Sequence, residues 1–305
     1  MSISNSRQRG IEAGGLIGSN RTYMAIVLVG FRASTEADCM ARRCRREAFV
    51  TELVTQAREG PVVTLTMNRP EKMNLFSPPM RDALIANFNQ LGDDPTCRAI
   101  VLTGAGQHFS AGGDVRSFTE TTFLSARARL ERGSGPLARL IAAGRKPVVT
   151  AIEGNCYGAG LSMAAASDFA VAASDAKLCA AFVKLGFIPD VGLLWSLPRR
   201  VGLGKAKELA ALATVIDGEE AARIRLVDAV VEPGEALAKA LEMAWRFAEA
   251  PPVTMALLKA AFAQDGLESV LKAELDYQPA LITTADHAEA KSAFLERRKP
   301  VFTGH

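Results

Sequence analysis

The sequence predicts an α/β fold in which a core of strands and helices is followed by a helical C-terminal region. Short apolar runs rich in Val, Ile and Ala occur at 62–67, 99–103, 148–152 and 169–173, and helix-period segments separate them. From about Lys205 onward the chain shows mostly helical periodicity. Strands that alternate with helices at this spacing indicate β-β-α or βαβ units.

Each predicted helix is placed by its apolar periodicity. Between the strands, helices are predicted over 79–91 and 122–143, and a third over 159–166. In the second half of the chain the helical segments are 205–213, 219–225, 235–250, 253–262 and 267–281. These segments divide the chain into a leader (residues 1–49), a core (residues 50–250) and a C-terminal helical region (residues 251–305).

The composition is typical of a soluble globular protein. The chain has 305 residues, of which 49% are apolar, and this is ample for a buried core. Its five cysteines form no C-x-x-C pair, so neither a disulfide framework nor a metal site is predicted and a reducing, cytoplasmic location is expected. Residues 1–49 hold eight arginines and four acids, which leaves the rest of the chain nearly neutral. No nucleic-acid partner is predicted for the core.

The leader differs from the rest of the chain. It has no lysine, four arginines clustered around Cys44, and one apolar run at 23–31. Nine residues are too few for a membrane span, which needs about 20, so no membrane association is predicted. We expect the leader to be unstructured, or to be upstream sequence that precedes a natural start at Val50. A short signal peptide and an Arg cluster that binds nucleic acid or a membrane surface are the alternatives.

Two glycine-rich turns are the most informative local feature. F-S-A-G-G-D-V at 109–115 follows one predicted strand, and G-N-C-Y-G-A-G at 154–160 follows the next. Glycine lets the backbone approach a ligand closely and adopt conformations that other residues avoid. Two such turns can direct two backbone N–H groups at one oxygen, which is the geometry of an oxyanion hole. Taken singly, each turn is equally compatible with a plain connection.

The order and spacing of these turns, together with N-R-P-E-K-M-N at 68–74 and S-A-F-L-E-R-R at 292–298, resemble the crotonase (enoyl-CoA hydratase/isomerase) superfamily. The resemblance extends from about Pro61 to the C-terminus. It implies the crotonase (ClpP-like) fold, a spiral of β-β-α turns with a C-terminal helical trimerisation region. It also implies an acyl-CoA thioester substrate, a homotrimer or dimer of trimers, and no cofactor beyond the coenzyme A carried by the substrate.

The resemblance also assigns roles to residues near the turns. Gly113 and Ala159 match the positions whose N–H groups hold the thioester oxygen, and the helix beginning at Ala159 would add the positive end of its dipole. Arg297 matches a cation that contacts the CoA phosphates, often from a neighbouring subunit, although a solvated helix end is the alternative. Contacts with CoA are expected from Ala111, Asp114, Phe294 and Arg297.

The acid-base group is where the chain departs from the family hydratases. Their two glutamates are replaced here by Ser162 and Phe182, which cannot act as carboxylates in the addition of water. Asp190, in L-G-F-I-P-D-V-G, matches the catalytic acid of family isomerases, and its apolar neighbours favour a raised pKa. Its alternative role is to cap the following helix. Relatives usually carry two glycines one residue after this acid, so the bulkier Val191-Gly192-Leu193 is expected to narrow or reshape the acyl pocket.

Three functions are compatible with these residues. The preferred one is an acyl-CoA isomerase that shifts a double bond from the 3 to the 2 position, or rearranges a ring epoxide, through a thioester enolate with Asp190 as acid and base. One alternative is an enoyl-CoA hydratase in which another acid, such as Glu120, replaces the glutamates. The other is a CoA-binding protein without turnover, and an acid at position 190 argues against it.

Overall fold

The computed structural model describes residues 52–119 and 122–305. The predictions for the leader and for Glu120 therefore lie outside the described residues. In chain order the strands are β1 Val54–Glu59, β2 Val62–Met67, β3 Ala99–Gly104, β4 Val148–Ile152, β5 Asn155–Tyr157, β6 Phe169–Ala173, β7 Lys177–Cys179, β8 Ile216–Asp217 and β9 Ala229–Val231.

The helices follow the predicted alternation with the strands. They are α1 Pro78–Asp93, α2 Phe123–Arg132, α3 Ser134–Ala142, α4 Ala159–Ala166, α5 Leu193–Val201, α6 Leu203–Leu212, α7 Gly218–Arg223, α8 Ala236–Glu249, α9 Pro252–Ala263, α10 Leu267–Leu281 and α11 Ala285–Glu296. Three short 3-10 helices lie at Pro70–Lys72, Val115–Ser117 and Ala181–Leu185. No helix in the described ranges is long and apolar enough to cross a bilayer.

The central sheet has six strands in the order β1-β2-β3-β4-β6-β9. β1 pairs antiparallel with β2, and every later pair is parallel, with Val62 opposite Ala99 and Ile100 opposite Val148. A smaller sheet has the order β5-β7-β8. Parallel strands need crossover connections, and the helices between them supply these. The carboxyl ends of β3 and β4 therefore lie side by side, and each continues into one of the two glycine turns.

Both faces of the large sheet are covered by apolar side chains. On one face Leu65, Ile100 and Leu102 join the main core with residues of α1 such as Leu84. On the other face α8 presents a row of alanines four residues apart, Ala236, Ala240, Ala244 and Ala248. Strands buried on both faces are nearly continuous apolar runs rather than alternating ones, which is why they could be located from the sequence.

One predicted helix is divided in the structure. The segment predicted as continuous over 122–143 breaks at Gly133, which ends α2 and precedes α3. A Cβ at Gly133 would lie 2.3 Å from Cδ of Arg81, so the Arg81 side chain occupies the space that a helical side chain would need. The break places Ser134 at the start of a new helix, where its side chain is buried and faces the cavity described below.

Candidate active site

The two glycine turns are joined edge to edge by backbone hydrogen bonds. Ser110 N–H donates to the carbonyl of Asn155 at 2.9 Å, and Tyr157 N–H donates to the carbonyl of Ser110 at 2.9 Å. The ring of His108 accepts the Asn155 N–H at 3.2 Å, so this histidine supports the turn. These three bonds hold the turn after β3 in a fixed register against the turn after β4.

Glycine is required where the turns meet. Gly112 has φ +88 and Gly158 has φ +52, conformations that L side chains rarely adopt. A Cβ at Gly112 would lie 2.8 Å from the Tyr157 carbonyl oxygen and 3.6 Å from Cα of Gly158. The two backbones thus approach to a distance that excludes a side chain. Gly113 follows Gly112 in one turn, and Ala159 follows Gly158 in the other. The contact between the turns therefore brings Gly113 and Ala159 to the same cavity.

The N–H groups of Gly113 and Ala159 donate to no acceptor among the described residues. Ala159 is the first residue of α4, and the first N–H groups of a helix lack intrahelical partners. An oxygen between the two turns can accept both bonds and also benefits from the positive end of the helix dipole. The arrangement is suited to stabilising negative charge on a carbonyl oxygen.

Asn74, the last residue of N-R-P-E-K-M-N, supports the first glycine turn through hydrogen bonds. Asn74 is fully buried, and its amide nitrogen donates to the carbonyls of Ala105 at 2.9 Å and His108 at 2.7 Å. The backbone carbonyl oxygen of Asn74 accepts a hydrogen bond from the Ser110 hydroxyl at 2.8 Å. These three hydrogen bonds of Asn74, two from its side chain and one at its backbone carbonyl, fix the path of the chain into the glycine turn, so this motif has a structural role.

A cavity of about 380 Å³ opens beside the two turns. Most of the sequence-predicted site residues line it, namely Ala111, Gly113, Ala159, Asp190 and Phe294. Phe182, one of the two replaced glutamate positions, also lines the cavity.

Other residues singled out from the sequence lie elsewhere. Asp114 caps the 3-10 helix Val115–Ser117 by accepting the Arg116 N–H at 3.1 Å, and Arg297 ends α11 with φ +56; neither lines the cavity. The Ser162 hydroxyl is buried and donates back to the Gly158 carbonyl.

The expectation that the Val191-Gly192-Leu193 sequence narrows the acyl pocket is wrong. Val191 and Leu193 are fully buried in the main core and do not line the cavity. Their side chains point into the protein because α5 begins at Leu193 and packs its apolar face inward. The effect of Val191 is instead on the backbone, since a β-branched residue at φ +54 is strained.

Asp190 is the one carboxylate of the described residues that lines the cavity. Its enclosure raises the pKa to about 6 by desolvation, and the Arg129 guanidinium and a hydrogen bond from Ser134 act in the opposite direction. Its alternative role as a helix cap is wrong, because the N-cap residue of α5 is Gly192 and no side chain caps this helix. The carboxylate is therefore available to a molecule in the cavity.

Two buried polar residues on α10 contact the segment that carries Asp190, and neither was singled out from the sequence. Glu274 accepts the Gly192 N–H at 3.0 Å, and Gln278 accepts the Ile188 N–H at 3.1 Å. Both lie at 3% exposure or less, on the buried face of the helix that also holds Leu271. Polar residues at positions where the helical period places apolar ones are a signal that could have identified them.

An aromatic cluster forms the wall near Asp190. Phe187 stacks on His287 with ring centroids 4.2 Å apart, and Phe118 meets Phe187 edge to face at 5.6 Å. His287 is buried, its Nδ1 contacts the Leu185 carbonyl, and desolvation lowers its pKa. The wall excludes water from one side of the carboxylate.

The cavity lining also includes cationic side chains. Arg81 and Lys184 line the cavity, and Lys184 is exposed and forms no ion pair within the described residues. No group of three or more His, Cys, Asp or Glu side chains in the described ranges is arranged to hold a metal ion. The cavity thus combines two N–H donors, one carboxylate, apolar side chains and cationic side chains.

Comparisons with known proteins identify the family of the chain. The family model described as enoyl-CoA hydratase/isomerase matches residues 57–305. The chain is 37% identical over 259 residues to a 1,2-epoxyphenylacetyl-CoA isomerase of Escherichia coli, a match that covers 83% of this chain and 99% of the relative. It is 35% identical to a crotonyl-CoA hydratase of Syntrophomonas wolfei, over 82% of this chain and 98% of that one.

Solved structures agree on the fold. An enoyl-CoA hydratase from Mycobacterium avium subsp. paratuberculosis superposes with a TM-score of 0.74 at 29% identity, and the match covers 82% of this chain and 98% of that chain. An enoyl-CoA hydratase/isomerase from Pseudoalteromonas atlantica also gives 0.74, at 26% identity, with 82% of this chain and 100% of that chain covered. The expected crotonase fold with its C-terminal helices is confirmed.

Proposed function

Because the chain belongs to the enoyl-CoA hydratase/isomerase family, we propose that it is an acyl-CoA isomerase in which Asp190 moves one proton between two carbons of the acyl group. The observation that carries the proposal is that Asp190 is the single cavity-lining carboxylate of the described residues. An isomerisation needs one group that takes and returns a proton, whereas hydration must activate water at one carbon and protonate another. Ser162 and Phe182 cannot supply the second carboxylate.

The two glycine turns activate the substrate. A thioester carbonyl oxygen placed between Gly113 and Ala159 accepts both N–H groups, and these bonds strengthen as negative charge develops on the oxygen. Loss of one such donor in other enzymes costs about 2.7–4 kcal/mol of transition-state stabilisation. The proton on the carbon next to the thioester therefore becomes acidic enough for a carboxylate to remove.

The proton transfer itself balances without water. The Asp190 carboxylate takes the C2 proton of a 3-enoyl thioester, and the electron pair delocalises through the thioester to the oxygen held by the two N–H groups. Asp190 then returns the proton to C4, which leaves the double bond between C2 and C3. A pKa near 6 suits both halves of the cycle, because the group is ionised at neutral pH yet holds a proton readily.

The CoA portion is expected to occupy the open mouth of the cavity. Ala111 and Phe294 line the cavity, and the exposed Lys184 ammonium, which also lines it, can attract phosphate groups. Asp114 contributes indirectly by fixing the turn after Gly113. For Arg297, which does not line the cavity, we propose a contact with CoA bound to a neighbouring copy of the chain.

The test is the substitution Asp190→Asn, which keeps the size of the side chain and removes its capacity to accept a proton. Isomerisation of a 3-enoyl-CoA should fall by at least about 100-fold, while binding of a saturated acyl-CoA, which depends on Gly113 and Ala159, is retained. Ser162→Ala is the matched control, because its hydroxyl is bonded to its own helix, and it should change the rate little.

A panel of 3-enoyl, 2-enoyl, ring-epoxide and aryl CoA thioesters identifies the acyl group and separates the alternatives. Efficient hydration of 2-enoyl-CoA without isomerisation would contradict the proposal, as would an Asp190→Asn variant that isomerises at the wild-type rate. Acyl-CoA binding without turnover of any thioester would favour a non-catalytic protein.

A further inference from the structure

The segment that carries Asp190 is anchored at two points, one on each side of the carboxylate. Two residues before Asp190, Ile188 N–H donates to Gln278, and two residues after it, Gly192 N–H donates to Glu274. Glu274 and Gln278 lie four residues apart, one turn of α10, and so face the same way. One helix therefore holds both ends of the five-residue segment 188–192.

The segment needs to be held, because its backbone is strained. Val191 has φ +54 and Gly192 has φ +74, two consecutive left-handed residues of which one is β-branched. Such a conformation is unfavourable for a non-glycine residue and persists only where the surroundings enforce it. The Glu274 bond to Gly192 acts at the strained turn itself, so it directly opposes relaxation of the backbone next to Asp190.

Glu274 is unusual for an anchor because it is a carboxyl group buried at 2% exposure and outside the cavity lining. No Lys or Arg of the described residues forms an ion pair with it. Desolvation and the neighbouring Asp190 charge raise its pKa to about 9. Glu274 and Asp190 therefore hold one proton between them at neutral pH, and they titrate as a coupled pair.

We propose that Glu274 is a positioning residue for Asp190, and that with Gln278 it fixes the strained 188–192 segment so that the Asp190 carboxylate faces the substrate. Being neutral, Glu274 accepts the Gly192 N–H without placing a second negative charge beside the base. The inference rests on the proposed function, since it assigns Glu274 to the same proton transfer.

The charged and titratable groups around Asp190 define the expected pH behaviour. Among the described residues they are Arg81 on α1, Arg129 on α2, Glu274 on α10, His287 on α11 and Lys184 in the cavity lining. Because Glu274 is already neutral where Asp190 titrates, replacing it with a neutral residue of the same shape leaves the acid limb of the pH profile in place. Removal of an ionised Glu274 would instead lower the Asp190 pKa and move that limb to lower pH.

The experiment compares Glu274→Gln, which keeps an oxygen for the Gly192 N–H, with Glu274→Leu, which does not. In Glu274→Leu we expect kcat for 3-enoyl-CoA isomerisation to fall by about 100-fold with KM little changed, because a misplaced catalytic group costs that much. Glu274→Gln should restore kcat and keep the wild-type acid limb of kcat/KM. Asp276→Asn is the control, since it removes the Arg127 ion pair that ties α10 to α2 without touching the segment.

Rates are expressed per site that binds a saturated acyl-CoA, so that unfolded protein is not counted. Wild-type kcat in the folded Glu274→Leu protein would overturn the inference, and so would an acid limb that moves down by a pH unit in Glu274→Gln. If Glu274→Leu does not fold, Gln278→Leu is the second variant to measure. An unchanged kcat in Gln278→Leu would contradict the inference that Glu274 and Gln278 together hold the 188–192 segment. An active Asp190→Asn variant would instead defeat the proposed function, so the two failures are distinguishable.

Discussion

At the residue scale, the proton affinity of Asp190 is set by enclosure rather than by its partners. Arg129 and Ser134 both favour the ionised form, yet desolvation outweighs them and raises the pKa to about 6. An exposed aspartate would be ionised far below neutral pH and would be a weak base. The aromatic wall of Phe118 and Phe187 beside the carboxylate contributes to this enclosure.

The pH dependence of turnover follows from this pKa. A proton can be taken only by ionised Asp190, so kcat/KM should be level above about pH 6 and fall about tenfold per pH unit below it. Initial rates of 3-enoyl-CoA isomerisation between pH 4.5 and 8 measure this directly. A profile that stays level to pH 4.5 would show that Asp190 is not the base.

The raised pKa of Glu274 predicts a separate effect, on the pH dependence of the stability of the protein. Its folded-state pKa is raised above the value of 4.5 for the free side chain, so the folded protein binds a proton that the unfolded chain releases between pH 4.5 and about 9. Its contribution to stability is therefore full below pH 4.5 and is lost as the pH rises, by at most about 1.4 kcal/mol per pH unit.

Glu274→Gln removes this dependence, because the amide does not titrate. The melting temperature of the variant relative to wild type should increase as the pH is raised from 5.5 to 8.5. Thermal unfolding of both proteins across this range is the measurement, and parallel curves would show that Glu274 is ionised in the folded state.

At the element scale, the activity depends on how closely two glycine turns approach. The turns follow neighbouring parallel strands, β3 and β4, so the sheet itself brings their carboxyl ends together. The Ser110 and Tyr157 hydrogen bonds then fix the register. Small residues at the contact let Gly113 and Ala159 line the same cavity, where we propose that their N–H groups bind one oxygen.

Gly112→Ala should disrupt this contact. The added Cβ meets the Tyr157 carbonyl oxygen at 2.8 Å, so the turns must separate and one N–H group is displaced. We expect kcat to fall by about 100- to 1,000-fold, the effect of losing one oxyanion donor. Gly234→Ala is the matched control, because Gly234 has a similar φ of +91 with no atom within 4 Å of the added Cβ. If kcat falls equally in both variants, the loss in Gly112→Ala is due to backbone strain and not to separation of the two turns.

At the scale of the whole molecule, the C-terminal helices expose an apolar surface. Val253, Leu257 and Phe262 on α9 are 65% to 72% exposed, and Leu212 on α6 is 69% exposed. Contiguous exposed apolar surface marks sites of contact with other proteins, and Val253 and Leu257, four residues apart, share one side of α9. This surface supports the proposal, first made from the family resemblance, that the chain forms a homotrimer or a dimer of trimers.

Light scattering at micromolar concentration should therefore give a mass of at least three chains. Phe262→Glu, at an exposed position of α9, should shift the distribution towards smaller species without unfolding the protein. A wild-type monomer would contradict the trimer and the proposed contact of Arg297 with a neighbouring copy.

The sequence by itself determined four strands of the central sheet, most of the helices and five of the cavity-lining residues. The strands at 62–67, 148–152 and 169–173 and the helices at 159–166 and 267–281 have the predicted bounds. This was possible because burial on two faces of a parallel sheet imposes continuous apolar runs, and because close backbone contact requires glycine. Both constraints act on neighbouring residues in the chain, so they can be read locally.

Only the tertiary structure decided what surrounds Asp190. Glu274 and Gln278 lie more than 80 residues away from it in sequence, and their role follows from the packing of α10 against the 188–192 segment. Packing also buries the side chains of Val191 and Leu193 in the core. It likewise interrupts the helix predicted over 122–143 at Gly133. The pKa of a carboxyl group and the strain of a turn depend on which distant atoms exclude water and which hold the backbone, and the periodicity of a sequence does not contain that information.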